Sequence, residues 1–310
     1  MNHPPFAPPA TGPGSRVGVA ALSGAVDGAL LECGISALAD LGFEVVRATN
    51  LKRRQGLFAG TDDERLDGLH GLLDDSSLDA VFFARGGHGV LRLLPAIDWD
   101  RLARRPRWFI GYSDLTPLLM QVVTRLGWLT LHGPMVAGEL ARGLDAEEAL
   151  SLRSALAGEW PLEIPLAGTS GAWRGVEGRL LGGCLSLLAA TTGTPWAVPM
   201  ADSVLFLEDV GEPLYRVDRM LQQLRLAGAL VRVRGVVLGA FDGASQGEGS
   251  VAEIVAAVGQ AVGSEVPIAW GCPSGHRRPN VTLALGAQAR VEGTRLKLGI
   301  EPSSRLVSVP

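Results

Sequence analysis

The stretch RWFIGYSDLTPLLMQVVTRLG, residues 107–127, joins a short apolar run, a small polar turn and a longer apolar segment. Trp108, Phe109 and Ile110 follow one another without polar alternation, which is the pattern of a strand covered on both faces of its sheet. Pro117 suits the first helical position and Thr116 the N-cap before it, so a helix begins there and ends at Gly127. Ser113 and Asp114 are left in the turn between strand and helix. On the N-terminal side the same alternation repeats. VGVAALSG (17–24), FEVVRA (43–48) and LDAVFFARGG (78–87) read as strands, while LLECGISALADLG (30–42) and DDERLDGLHGLLDD (62–75) read as helices. Strands that alternate with helices and lack a polar face predict a parallel sheet with helices on both sides.

The grammar changes further along. Residues 158–177 carry Pro161, Pro165 and several glycines, and are expected to link two domains. Beyond them GRLLGG, VLFLED, VRGVVLGAF and VTLALGAQARVEG predict short strands joined by loops. A strong helix stands between Pro213 and Gly228, with Leu214, Val217, Met220, Leu221 and Leu224 spaced as a core-facing stripe. The expected organisation is a flexible, proline-rich tail (1–15), an α/β domain (16–157), the linker, and a β-rich mixed domain (178–310).

Several classes of function are excluded. The net charge is −4 at pH 7 over 310 residues and the arginines are scattered among acids, so no footprint for a nucleic-acid backbone is present. No apolar run approaches the roughly 18 residues of a membrane span, and the N-terminus lacks the basic and apolar regions of a secretory signal. Cys33, Cys184 and Cys272 are distant, odd in number and read as buried free thiols; a cytoplasmic protein is expected. No spacing of histidines or acids suits a metal, and no motif asks for a cofactor.

Four places could carry chemistry. Ser113 is lifted above the carboxyl edge of a parallel sheet beside backbone N–H groups, as in a nucleophile elbow. The glycine two residues after the serine in G-x-S-x-G is absent, Leu115 standing there, so a turn-capping serine is the competing reading. In FFARGGHG (82–89) a buried strand ends in Arg85, Gly86, Gly87 and His88, which can make either an anion-binding nest or an ordinary tight turn. Glu208 and Asp209 leave an apolar strand together. Adjacent residues of an extended chain point to opposite sides, and local pattern does not choose between them. His276 lies in a Gly/Pro/Ser-rich loop before a strand, and with His88 and His132 it completes the candidate bases.

Taken together and in order, GVAALSG, RGGHG, GYSDLT, HGP, LLGG, GTPW, LFLEDVGEPLYRVDRMLQQLRLAG and GHRRPN resemble the LD-carboxypeptidase family of serine peptidases, which includes muramoyltetrapeptide carboxypeptidase and the microcin C immunity peptidases. The resemblance implies a flavodoxin-like N-terminal domain, a β-rich C-terminal domain and a site in the cleft between them. It places the nucleophile on Ser113, the acid on Glu208 and the base on His276, with backbone N–H groups of Gly86, Gly87 and Asp114 as oxyanion donors. It implies release of terminal D-alanine from murein tetrapeptides, with cleavage of an acyl-sulfamoyl adenylate or related peptide antibiotic as the alternative. A small peptide partner and a homodimer are expected from it. Two residues depart from the family pattern: His88 stands in place of tyrosine and Cys184 in place of asparagine. Arg85, Arg216, Arg219 and Arg277 lie in the resembling motifs as possible carboxylate partners, and Trp173, Trp196 and Trp270 as possible platforms for an adenine ring.

Overall fold

A computed structural model describes residues 5–242 and 251–300. The first sheet takes β1 (Arg16–Ala20), β2 (Glu44–Arg47), β3 (Leu78–Phe83), β4 (Trp108–Gly111) and β5 (Thr130–His132), all parallel. Their order, β2-β1-β3-β4-β5, is the flavodoxin-like one. Every residue of β4 is buried, as its unbroken apolar run requires.

The second sheet contains β6 (Leu162–Pro165), β7 (Gly168–Ser170), β8 (Glu177–Cys184), β9 (Ser203–Val210), β10 (Gly235–Asp242) and β11 (Ile268–Trp270). After β12 (Leu283–Leu285) come β13 (Gln288–Glu292) and β14 (Arg295–Gly299), which complete it in the order β6-β14-β13-β8-β9-β10-β11-β7. Strands β8 to β11 are parallel, with helices at Leu185–Thr191, Leu214–Leu226 and Val251–Val262 between them. The domain is thus a β-rich sheet built on a βαβ centre. In the helix Leu214–Leu226, Val217, Leu221 and Leu224 are buried as the stripe predicts.

Four expectations need correction. Residues 158–177 are no bare linker, because β6 and β7 lie within them and form the two edges of the second sheet. Leu162 and Ile164 alternate with Glu163 and Pro165 in burial, and proline is tolerated on an edge strand. The tail is docked in its described part: Phe6 bridges to Trp128, Thr11 N–H donates to Leu156 O (2.8 Å), and the Trp108 indole donates to Pro9 O (2.9 Å). Cys33 is exposed, and only Cys184 and Cys272 are buried. The helix before Gln121 begins at Thr116, not Pro117, and a single 3-10 turn over Ser113–Leu115 precedes it.

β12 crosses back to pair antiparallel with β5, so the C-terminal chain supplies an edge of the first sheet. The halves also meet where Cys184 N–H donates to Thr116 Oγ1 (3.2 Å). Gly183 has φ +137°, and a Cβ there would stand 2.8 Å from that same oxygen. Close approach of β8 to the helix behind Ser113 therefore requires glycine.

Candidate active site

The chain leaves β4 through Tyr112 and enters the turn at Ser113, whose φ is +61°. Left-handed backbone is unfavourable for a serine, and such residues persist where the surroundings over-determine them. Here the surroundings are the glycines after β3. A Cβ on Gly86 would come 3.0 Å from both Cβ and Oγ of Ser113. Asp114 is buried, and its Oδ2 accepts from Val90 N–H at 3.0 Å, which ties the turn to the glycine loop. Gly87, at φ +115°, lies against Gly24 after β1, and Gly24 N–H donates to Gly86 O (3.2 Å). The ends of β1, β3 and β4 thus converge at the carboxyl edge of the sheet, where open α/β folds bind ligands.

The second domain brings the acid and the histidine. Glu208 is fully buried near the end of β9, and its Oε2 lies 2.6 Å from His276 Nδ1. Gly275 has φ +121°, and a Cβ there would stand 2.8 Å from that carboxylate oxygen, so glycine lets the loop deliver the ring. An ionised carboxylate only accepts, so Nδ1 carries the proton and Nε2 is the basic nitrogen. Burial raises the Glu208 carboxyl, against the pull of the His276 hydrogen bond. Burial disfavours the charged imidazole, but the hydrogen bond and charge of Glu208 outweigh it and hold His276 above its ordinary value.

Ser113 and His276 line one cavity of ≈ 340 Å³ with Arg85, Gly86, Gly87 and Tyr112. A hydroxyl on a strained turn, beside an imidazole fixed by a buried carboxylate, can perform nucleophilic acyl transfer.

The other candidates are sorted by their partners. Asp209 points the opposite way and accepts from Ser186 N–H (2.7 Å) at the start of a helix. His132 is buried between Tyr112 and Phe206 (5.3 and 5.1 Å between ring centroids), outside the cavity lining. Burial, and then the charge of His276, hold its pKa down to about 3. His88 lies against Phe58 (5.7 Å between centroids), and Cys184 Sγ lies near Ser186 Oγ (3.3 Å); neither lines the cavity. His70 accepts from Asp98 N–H, and His3 lies outside the described residues. Of the four arginines in the motifs only Arg85 lines the cavity.

Sequence reading missed three cavity residues that act together. Tyr112 OH donates to Glu139 Oε1 (2.8 Å), Arg142 Nη2 donates to the same oxygen (3.0 Å), and the Tyr112 ring meets His276 edge-on at 4.9 Å. Glu139 and Arg142 stand three apart, a usable local signal, but their link to Tyr112 exists only in the fold.

The profile of the LD-carboxypeptidase N-terminal domain matches residues 17–133, and that of the C-terminal domain matches residues 177–291. The murein tetrapeptide carboxypeptidase of Pseudomonas aeruginosa is 35% identical over 91% of this chain and 94% of its own length. The crystal structure of muramoyltetrapeptide carboxypeptidase from Oxalobacter formigenes matches with TM-score 0.80 and 29% identity, covering 93% of this chain and 100% of that one. The microcin C7 self-immunity protein MccF, in complex with aspartyl sulfamoyl adenosine, shares the fold at TM-score 0.85 and 22% identity, over 97% of this chain and 100% of that one. Both halves of the sequence and the two-domain fold agree: the chain belongs to the LD-carboxypeptidase family.

Proposed function

We propose that the protein is a serine carboxypeptidase that hydrolyses the L,D peptide bond and releases terminal D-alanine from murein tetrapeptides. The observation that carries this reading is the meeting of Ser113 on its strained turn with the Glu208–His276 pair at one cavity. Ser113 Oγ attacks the carbonyl carbon of the L-configured diamino acid while His276 Nε2 takes the hydroxyl proton. The negative oxygen of the tetrahedral intermediate is held by backbone N–H groups of Asp114 and of Gly86 or Gly87. His276 then gives its proton to the D-alanine nitrogen, the C–N bond breaks, and water repeats the sequence on the acyl-enzyme. Glu208 keeps the ring oriented and stabilises the imidazolium throughout. This reading puts the enzyme in the cytoplasm, acting on recycled wall peptides as a homodimer.

The immunity-type reading calls for an aromatic surface beside the nucleophile to stack a nucleobase. Trp173 packs on Gly235, Trp196 is stacked with Trp99 at 6.0 Å, and the Trp270 ring covers Gly168. None of the three lines the cavity of Ser113. Offering the purified protein a murein tetrapeptide and an aspartyl sulfamoyl adenosine side by side tests the choice. The expected result is D-alanine from the first and no cleavage of the second; the reverse pattern establishes the immunity-type activity instead.

A further inference from the structure

A carboxypeptidase must recognise a free carboxylate one residue beyond the bond it cuts. The cation that does so must therefore stand within about one amino-acid length of the nucleophile. Two guanidinium groups border the cavity of Ser113, those of Arg85 and Arg142. Arg85 is engaged by the chain after β1: its Nη1 donates to Ala25 O at 3.0 Å, and its guanidinium lies against Gly24 and Gly87. It fastens two loops together.

Arg142 is held differently. Its side chain is 56% exposed, and only Nη2 has a hydrogen-bond partner among the described residues, Glu139 Oε1. That glutamate is 4% exposed. Its Oε1 also accepts from Tyr112 OH at 2.8 Å, and its Oε2 accepts from Met135 N–H at 3.0 Å. A buried carboxylate is costly unless fully paired, and here three donors fix it. Tyr112 in turn adjoins Ser113 in the chain and packs edge-on against His276. The segment that carries Glu139 is itself irregular: Val136–Leu140, just before Arg142, is a π-type turn with Gly138 at φ −110°, ψ −110°, a distortion that often accompanies functional sites. A guanidinium has been aimed from a rigid base while its Nε and Nη1 have no hydrogen-bond partner among the described residues.

We propose that Arg142 receives the terminal carboxylate of the substrate, with Glu139 and Tyr112 as positioning residues that set its direction relative to Ser113 and His276. The proposal rests on the carboxypeptidase reading above. The ligand class is a peptide ending in a free D-alanyl carboxylate, which the free edge of the guanidinium can bind through paired N–H···O bonds.

The test uses full-length protein carrying Ser113→Ala, so that peptides bind without being cut, and calorimetric Kd values for a murein tetrapeptide and for its C-terminal amide. The acid is expected to bind about tenfold or more tighter than the amide, the scale of one charge-assisted contact. Adding Arg142→Ala should bring the two within about twofold, and Arg142→Lys should keep part of the preference. An undiminished preference in Arg142→Ala overturns the proposal. So does equal binding of both peptides to the Ser113→Ala protein, or loss of the preference in Arg85→Ala instead. Failure of the activity reading shows separately, as absence of D-alanine release by the protein with Ser113 intact, and it removes the proposal with it.

Discussion

Ser113 is held where a serine is not at ease, and the residue that allows this is a glycine in another loop. Gly86→Ala would set a methyl group 3.0 Å from the oxygen proposed as nucleophile. The added methyl requires Ser113 to give by a few tenths of an ångström. Misplacement of a reacting atom by about 1 Å costs about 100-fold in rate, so kcat/KM should fall by less than about that factor in a protein whose melting curve is little changed. Near-normal turnover of Gly86→Ala would show that this contact does not set the position of Ser113 Oγ. The Glu208–His276 pair makes a second prediction through pH. In the proposed mechanism His276 must be neutral to accept the serine proton, so activity should be lost as pH falls through the pKa of the pair. Because Glu208 holds that pKa up, the acid limb of kcat/KM should lie above the ordinary histidine value of 6.5. Glu208→Gln removes the charge and leaves the burial, so the limb should move to lower pH while kcat drops. A limb that stays in place would mean that another group titrates. Locally the sequence offers these three only as candidates, a serine in a strand-to-helix turn, acids at a strand end and a histidine in a glycine-rich loop; the family resemblance is what singles them out. The choice of Glu208 over Asp209 is not legible locally, because it depends on which side of β9 faces His276.

At the scale of elements, one helix of the first domain reaches across to steady the histidine loop of the second. Glu148, fully buried in the helix Ala146–Ala157, accepts from Arg278 Nη2 (2.8 Å) and from Asn280 N–H (2.9 Å). Asn280 Oδ1 in turn accepts from Gly275 N–H at 2.9 Å, one residue before His276. Glu148→Ala should loosen this loop, lowering kcat about 10- to 100-fold with KM nearly unchanged, and Glu148→Gln should recover part of the loss. A drop confined to KM would contradict a role in holding the histidine. The partners are 130 or more residues apart, so no local pattern could announce them. The strands of the parallel sheet were legible because burial on both faces leaves a continuous apolar run. β6 and β7 were hidden because prolines and glycines near them resemble a linker, although Leu162 and Ile164 already alternate with polar or ring-constrained neighbours. The docked tail was hidden for a similar reason, since Phe6 is a single apolar residue among prolines and gains its partner only from the folded surface at Trp128.

For the whole molecule, the two domains must stay in register for Ser113 to meet His276. A clasp lies apart from the cavity: Trp99 and Trp196 stack at 6.0 Å, and the Arg125 guanidinium sits 4.3 Å from the Trp196 ring and 5.0 Å from that of Trp99. Gln121 joins them by donating to Trp196 O at 2.9 Å and accepting from Arg125 Nε at 2.8 Å. An aromatic pair with a cation over it contributes about 1–3 kcal/mol beyond its buried area, so Trp196→Ala should lower Tm by several degrees in calorimetry. No change in Tm would show that the clasp does not bind the halves together. The measurement that bears most directly on the account as a whole is D-alanine release from a purified murein tetrapeptide, followed by mass spectrometry, for the native protein and for folded Ser113→Ala. The native protein is expected to remove one alanine, and Ser113→Ala to be slower by several powers of ten. A tetrapeptide left intact by both, or cut equally by both, would contradict this.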